Sequence, residues 1–213
     1  MDHSDLIARM TIEQKCALLS GARTFSSRAY PGLGIPALEF ADGPHGVRMQ
    51  AGESDHLGLN PSKPATCFPT ASAVACSWDT GLARRVGEAL GQEAASQGVG
   101  CLLGPGLNIK RSPLCGRNFE YFSEDPLVSG AMAAAYVRGI QSVGIAACPK
   151  HFAANSQELR RMASDSEVDE RTLRELYLAG FETCVREASP RAIMSSYNLV
   201  NGVYANENPW LLK

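Results

Sequence analysis

Four short apolar runs punctuate this chain, and each gives way to a segment with helical periodicity. The runs are residues 37–40, 99–104, 145–149 and 192–195. Asp79 caps the first helical segment, with Leu82, Val86 and Leu90 at helical spacing and Gly98 near its end. Asp125-Pro126 then puts an acidic N-cap before a proline at the first helical position, and Met132, Tyr136 and Ile140 share a face in a helix reaching about Ser142. Asp169 opens a third helix carrying Leu173, Leu176, Phe181 and Val185 and ending before Pro190, and Glu207-Asn208-Pro209-Trp210 begins a fourth. Strand and helix in alternation form βα units, and βα units build a parallel sheet covered by helices. The expected fold class is therefore α/β. Upstream, Thr11-Ile12-Glu13-Gln14 has capping-box spacing, with Ile12, Cys16 and Leu19 on one face and Gly21 as a stop. Residues 50–66, polar and rich in Gly and Pro, read as a long loop.

A closed (β/α)8 barrel takes about 250 residues. With 213 residues and four strands, the chain reads as one partial domain, 1–213, the N-terminal part of a (β/α)8-type barrel left incomplete at its C-terminus. In parallel α/β folds, ligands lie at the carboxyl ends of the strands. Those ends hold Asp42, the loop 104–117, Lys150-His151 and Tyr197-Asn198. Burying an unpartnered ammonium costs several kcal/mol. A Lys-His pair closing an apolar strand therefore points to a polar pocket. One carboxylate with several cations, a His and a Tyr suits a ligand rich in hydroxyls: Asp42 accepts from a diol while Arg117, Lys150 and His151 donate. The rival, phosphate binding at Gly104-Pro105-Gly106, fails on chemistry. Pro105 removes an N–H donor, and no Gly-Lys-Ser/Thr follows.

Charge and cysteines narrow the field. Twenty Lys and Arg against 22 Asp and Glu leave −2, without the basic excess of a nucleic-acid binder. No apolar stretch approaches the roughly 18 residues of a membrane span. The N-terminus, Met1-Asp2-His3-Ser4-Asp5, lacks a signal-peptide pattern. Seven scattered cysteines without a C-x-x-C pair fit reduced core thiols, so the expected location is cytoplasmic. Asp42, His45 and His151 match no metal-ligand spacing, and no metal or cofactor is expected. His45 reads as a turn residue near the site, and His3 and His56 as solvated. Asp42-Gly43-Pro44 taken alone is also a plain turn signal. Glu124 and Asp125 flank a helix start, where negative charge is favourable. Glu120 reads as a partner for Arg117 or Lys150.

Six blocks in order carry a resemblance: Asp42-Gly43-Pro44-His45-Gly46-Val47-Arg48, Cys67-Phe68-Pro69-Thr70-Ala71, the stretch 103–109, the stretch 116–126, Lys150-His151-Phe152-Ala153-Ala154-Asn155, and Met194-Ser195-Ser196-Tyr197-Asn198. Together, from about Met10 to Lys213, they resemble the N-terminal barrel domain of glycoside hydrolase family 3, in its β-glucosidase-like branch. The resemblance implies a retaining exo-β-glycosidase without cofactor, whose two carboxyl groups lie about 5 Å apart. It implies that the Asp nucleophile belongs to a later barrel strand and the Glu acid/base to a separate α/β sandwich domain, so no catalytic residue is expected here. It further implies that Asp42, Arg117, Lys150, His151, Arg161 and Tyr197 bind the terminal sugar, Tyr197 beside the nucleophile. Ser156 and Leu159-Arg160 depart from the usual pattern, and Arg160-Arg161 leaves the register of the functional arginine open. Pro149 implies a bend before Lys150, while Cys115 replaces a small residue.

The implied substrate is a terminal non-reducing β-D-glucoside or oligosaccharide, with β-xylosidase or another specificity as the alternative. The implied partners are the remaining barrel strands and the sandwich domain, with self-association through exposed barrel edges as a further expectation. The isolated chain is expected to be catalytically silent. The contrasting reading is a non-catalytic sugar-binding or assembly module.

Overall fold

In a computed structural model, residues 3–52 and 59–213 are described; His56 lies outside them. Near the N-terminus are α1 (Ser4–Ala8) and α2 (Ile12–Leu18). The expected capping box is present: the Gln14 N–H donates to the Thr11 hydroxyl at 3.2 Å, and the Thr11 N–H donates to the Gln14 side chain at 3.0 Å. The apolar face expected of α2 is not buried, since Ile12 and Leu19 are 67% and 90% exposed. Capping is local and forms whether or not a neighbour covers the face.

The barrel elements follow as β1 (Phe40–Ala41), α3 (Ala71–Ala75), α4 (Thr80–Ser96), β2 (Cys101–Leu102), α5 (Pro126–Ser142) and β3 (Ala146–Ala147). β1, β2 and β3 pair in parallel in chain order, with Phe40 opposite Cys101 and Leu102 opposite Ala147. The fourth expected strand is extended chain that adds to β3. Met194 N–H donates to the Pro149 carbonyl at 3.0 Å, and its own carbonyl accepts from the Phe152 N–H at 2.8 Å. The ladders are shorter than the apolar runs because pairing turns irregular at their carboxyl ends. There Lys150 N–H donates to the Pro105 carbonyl and Leu107 N–H to the Lys150 carbonyl. Pro149 has no donor to give, yet its carbonyl stays paired, so the chain remains in register through it. The Gly104–Pro105, Lys150–His151 and Phe152–Ala153 peptides are cis.

Asp79 and Asp125 cap α4 and α5 as expected, Asp79 accepting from Leu82 N–H at 2.9 Å and Asp125 from Leu127 N–H at 2.7 Å. The α4 face turned inward is Ala83, Gly87, Leu90, Gly91 and Ala94, so Leu82 and Val86 sit at its margin. Glycine sets the α4–α5 approach: a Cβ on Gly87 would lie 2.3 Å from the Tyr136 carbonyl oxygen, and one on Gly139 2.1 Å from that of Arg84. Helix α5 lies between α4 and a later helix, so residues 132–137 are all buried.

After β4 (Asp165–Ser166), the Asp169 carboxylate caps α6 (Glu170–Thr172), which runs through a π-helical stretch, Leu173–Leu178, into α7 (Ala179–Ala188). The wider π turn shifts the register of the inward face. Leu173, Phe181 and Cys184 are buried, whereas Leu176 and Val185, expected on that face, are 42% and 43% exposed. The chain ends with β5 (Leu199–Val200), β6 (Val203–Tyr204) and α8 (Pro209–Leu212). β4, β5 and β6 form a second, small sheet that the sequence reading leaves as irregular chain. Asn201-Gly202, at φ 51° and 84°, turns β5 into β6.

Candidate functional site

The residues at the strand ends converge through one buried carboxylate. Glu120 accepts a short hydrogen bond from Arg117 Nε, and its other oxygen lies 3.5 Å from Lys150 Nζ. Lys150 Nζ lies also 4.0 Å from Asp42 Oδ1. The Lys150 and Glu120 side chains are each 4% exposed, against 46% for Asp42. Two cations are thus held from behind by Glu120, while Asp42 keeps an oxygen face toward solvent. Burial works against the Arg117 charge, and its hydrogen bond and attraction to Glu120 more than offset that.

His151 is clamped by groups the sequence reading did not single out. The Asn108 side chain donates to the His151 carbonyl at 2.8 Å and accepts from its N–H at 2.6 Å. The Tyr121 hydroxyl lies 3.1 Å from His151 Nδ1 and 3.4 Å from the Asn155 carbonyl. Burial, with the charges of Arg117, Lys150 and Arg161, lowers the His151 pKa to about 2. Burial also raises Tyr121 well above the ordinary phenol range. A neutral imidazole therefore faces a protonated phenol. We assign the phenol proton to the shorter contact, which makes Nδ1 the acceptor and Nε2–H the donor. The signal for Asn108 was available: a polar side chain in a strand-end loop, next to buried Leu107 and Ile109.

Arg161 closes the other side. Its guanidinium sits 5.0 Å over the Tyr197 ring and 3.0 Å from Glu158 Oε2. Of the two adjacent arginines, Arg161 is the one that meets Tyr197; Arg160 is exposed, with φ 52°. Tyr197 is 52% exposed, so its ring carries Arg161 on one side and leaves surface free. Asn198, at the same strand end, is 1% exposed and donates to the Ala153 and Leu199 carbonyls, a packing role. His45 is half-buried with its ring edge-on to Phe119 at 5.6 Å, and burial lowers its pKa.

A carboxylate, two ammonium- or guanidinium-type donors and a fixed imidazole N–H, converging on one face, can bind a polyol. Retaining cleavage of a glycosidic bond takes, besides such a wall, two carboxyl groups about 5 Å apart across the bond. Against the profile of the "Glycosyl hydrolase family 3 N terminal domain", residues 25–213 match.

The chain belongs to glycoside hydrolase family 3.

Among members of the family, it is 53% identical over 212 residues to thermostable beta-glucosidase B of Acetivibrio thermocellus, covering 100% of this chain and 28% of that enzyme. It is 46% identical over 207 residues to an exo-alpha-(1->6)-L-arabinopyranosidase of Bifidobacterium longum, covering 95% of this chain and 27% of the other. Beta-glucosidase 3B from Thermotoga neapolitana, solved in complex with alpha-D-glucose, superposes with a TM-score of 0.90 at 42% identity. That match covers 99% of this chain and 31% of the other. The Kluyveromyces marxianus beta-glucosidase, in complex with glucose, gives 0.93 at 37% identity over 100% of this chain and 25% of its own. The α/β fold is thus that of the family's barrel domain, and the chain spans about a quarter to a third of these relatives' length.

Proposed function

We propose that this chain forms the sugar-holding wall of a retaining exo-β-glycosidase that releases terminal β-D-glucosyl residues. The observation that carries the reading is the Asp42–Lys150–Glu120–Arg117 chain of contacts. Glu120 spends its charge on the two cations, so Asp42 alone remains to accept from sugar hydroxyls. Arg117, Lys150 and the His151 Nε2–H then donate to the neighbouring sugar oxygens. Because these groups are already oriented, little ordering is required when sugar binds. Arg161 and Tyr197 border the position where the anomeric carbon would meet a nucleophile supplied from outside this segment. Turnover requires that nucleophile and an acid/base, which the reading places in the remaining barrel strands and the sandwich domain. The isolated chain is accordingly silent.

A second reading keeps the site and changes the sugar. A relative named as an arabinopyranosidase shares 46% of aligned residues. A wall that grips ring hydroxyls serves several pyranosides, with the choice made by contacts elsewhere.

The test is a chimera in which residues 1–213 replace the matched segment of the A. thermocellus enzyme. It should hydrolyse an aryl β-D-glucoside, and Lys150→Met should lower kcat/KM roughly a hundredfold or more, equivalent to about 2.7 kcal/mol. An unchanged kcat/KM in Lys150→Met would overturn the assignment of the wall. Preference for an aryl α-L-arabinopyranoside would support the second reading. Turnover by the isolated chain, above an Asp42→Ala, Tyr197→Phe control, would reject the silent state.

A further inference from the structure

Strands β2 and β3 place two cysteines on the same side of the sheet. Leu102 and Ala147 lie in the core that these strands share with α4 and α5. Successive side chains of a strand alternate between faces, so Cys101 and Cys148 point away from the helices. Cys101 stands opposite Ala146 in the parallel ladder, and Cys148 follows Ala146 by two residues. The two thiols are therefore diagonal neighbours on adjacent strands. Each is buried, at 1% and 5% exposure, and neither is in a disulfide. The Cys148 thiol donates to the Cys101 sulfur, which holds Cys101 below the usual thiol range and Cys148 above it.

Reach and donor count decide what such a pair can take. Residues offset by two on neighbouring strands stand roughly 7–8 Å apart between Cα atoms. A disulfide accepts about 4.4–6.8 Å, so closing one here would require the sheet to shift. A bridging ion requires no such shift, because two metal–sulfur bonds of about 2.3 Å each lengthen the link between the sulfurs. Zinc in structural sites takes four ligands. Among the described residues, no three His, Cys, Asp or Glu side chains gather in a metal-binding group. Two thiolates without a third donor suit a soft monovalent cation.

We propose that Cys101 and Cys148 form a two-coordinate site for a soft monovalent cation, copper(I) or silver(I). On binding, two S–H bonds break and two metal–sulfur bonds form. Both protons pass to solvent, and no electron is transferred. The resulting bis-thiolate carries one negative charge, which a buried setting tolerates only with a counter-charge. Lys150, two residues beyond Cys148, supplies it: its ammonium already favours the Cys148 thiolate. The site stands on the strand register and the thiol pair, and does not depend on the sugar-binding reading.

Titration of the chain with copper(I) under nitrogen, in competition with a chromophoric copper(I) chelator, tests the site. The exposed Cys16, Cys67 and Cys76 are first replaced by Ser. That background should bind one ion per chain and release two protons. Cys101→Ala and Cys148→Ala should each weaken binding at least a hundredfold. Cys184→Ala, which removes a buried thiol of α7, should leave it unchanged. X-ray absorption at the copper edge, measured on the background protein itself, should show two sulfur neighbours, a readout that stands even where an alanine variant unfolds. A background that binds no ion would overturn the proposal. So would binding that persists in either alanine variant, a third donor in the absorption spectrum, or a zinc(II) affinity equal to that for copper(I).

Discussion

Glu120→Gln is the substitution that most sharply separates a working charge cluster from a coincidental one. Glu120 is 4% exposed on its side chain, Lys150 also 4% and Arg117 19%. Gln is close in shape and still accepts from Arg117, but it turns a donor or a neutral oxygen toward Lys150. Removing one partner from a buried ion pair commonly costs about 3–5 kcal/mol, because the remaining charge stays buried. The retained Arg117 contact puts Glu120→Gln near the lower end, about 3 kcal/mol. Asp42→Asn supplies the internal contrast. Asp42 is 46% exposed and 4.0 Å from Lys150. With Asp42 open to solvent and the contact that long, the pair contributes roughly 0–1 kcal/mol. Urea unfolding of the chain, followed by far-ultraviolet circular dichroism, gives both values from midpoint and slope. A loss below about 1 kcal/mol for Glu120→Gln, or equal losses for the two variants, would refute the claim that Glu120 pairs with both Lys150 and Arg117 in the buried cluster.

His151 makes stability depend on pH. Its native pKa is lowered to about 2, against about 6.5 unfolded, so the unfolded chain binds a proton between these values and the native chain does not. Stability therefore falls as pH drops below 6.5, and from pH 6.5 to 5 the share due to His151 is about 2 kcal/mol. Urea unfolding at both pH values should show a slope shallower by that amount in His151→Gln, and an identical slope would contradict it. Gly139→Ala should destabilise by about 1–3 kcal/mol despite the better helix propensity of Ala, since the new Cβ meets the Arg84 carbonyl oxygen at 2.1 Å; a thermal melt no lower than that of the parent would count against it. Asn108→Leu leaves the buried His151 N–H and carbonyl without partners, at about 1–3 kcal/mol each. Its signature in the nuclear magnetic resonance spectrum is a shifted His151 amide, and an unmoved one would show that Asn108 does not hold the loop.

Elements fixed by local chemistry were legible in the amino-acid order. Thr11, Asp79, Asp125 and Asp169 all cap the helices expected of them, because a cap depends on a few neighbouring residues. Inward faces were less legible. Leu82 and Val86 yield to Ala83, Gly87 and Gly91, since a close helix crossing selects small residues over large apolar ones. Leu176, within the π stretch, turns outward because a π turn changes the period on which the face was read. The hairpin at Asn201-Gly202 had a clear local signal in its turn dipeptide, but its pairing with residues 165–166 spans too much sequence to read locally. At the site, Asp42, Arg117, Lys150 and His151 were readable from their position at strand ends. Asn108 left a signal as a polar residue between Leu107 and Ile109, but its contact with His151, like that of Tyr121, crosses a loop that composition leaves undefined.

The central claim is that Asp42 and its cationic neighbours grip sugar hydroxyls. A double-mutant cycle in the chimera tests it most directly, combining Asp42→Asn with aryl β-D-glucosides lacking single outer hydroxyls. The account predicts that Asp42→Asn lowers kcat/KM on the parent glucoside by roughly a hundredfold, about 2.7 kcal/mol. On the analogue lacking the hydroxyl that Asp42 accepts, the same substitution should cost little. Equal losses on the parent and on every deoxy analogue would contradict the account, because Asp42 would then act without touching the sugar.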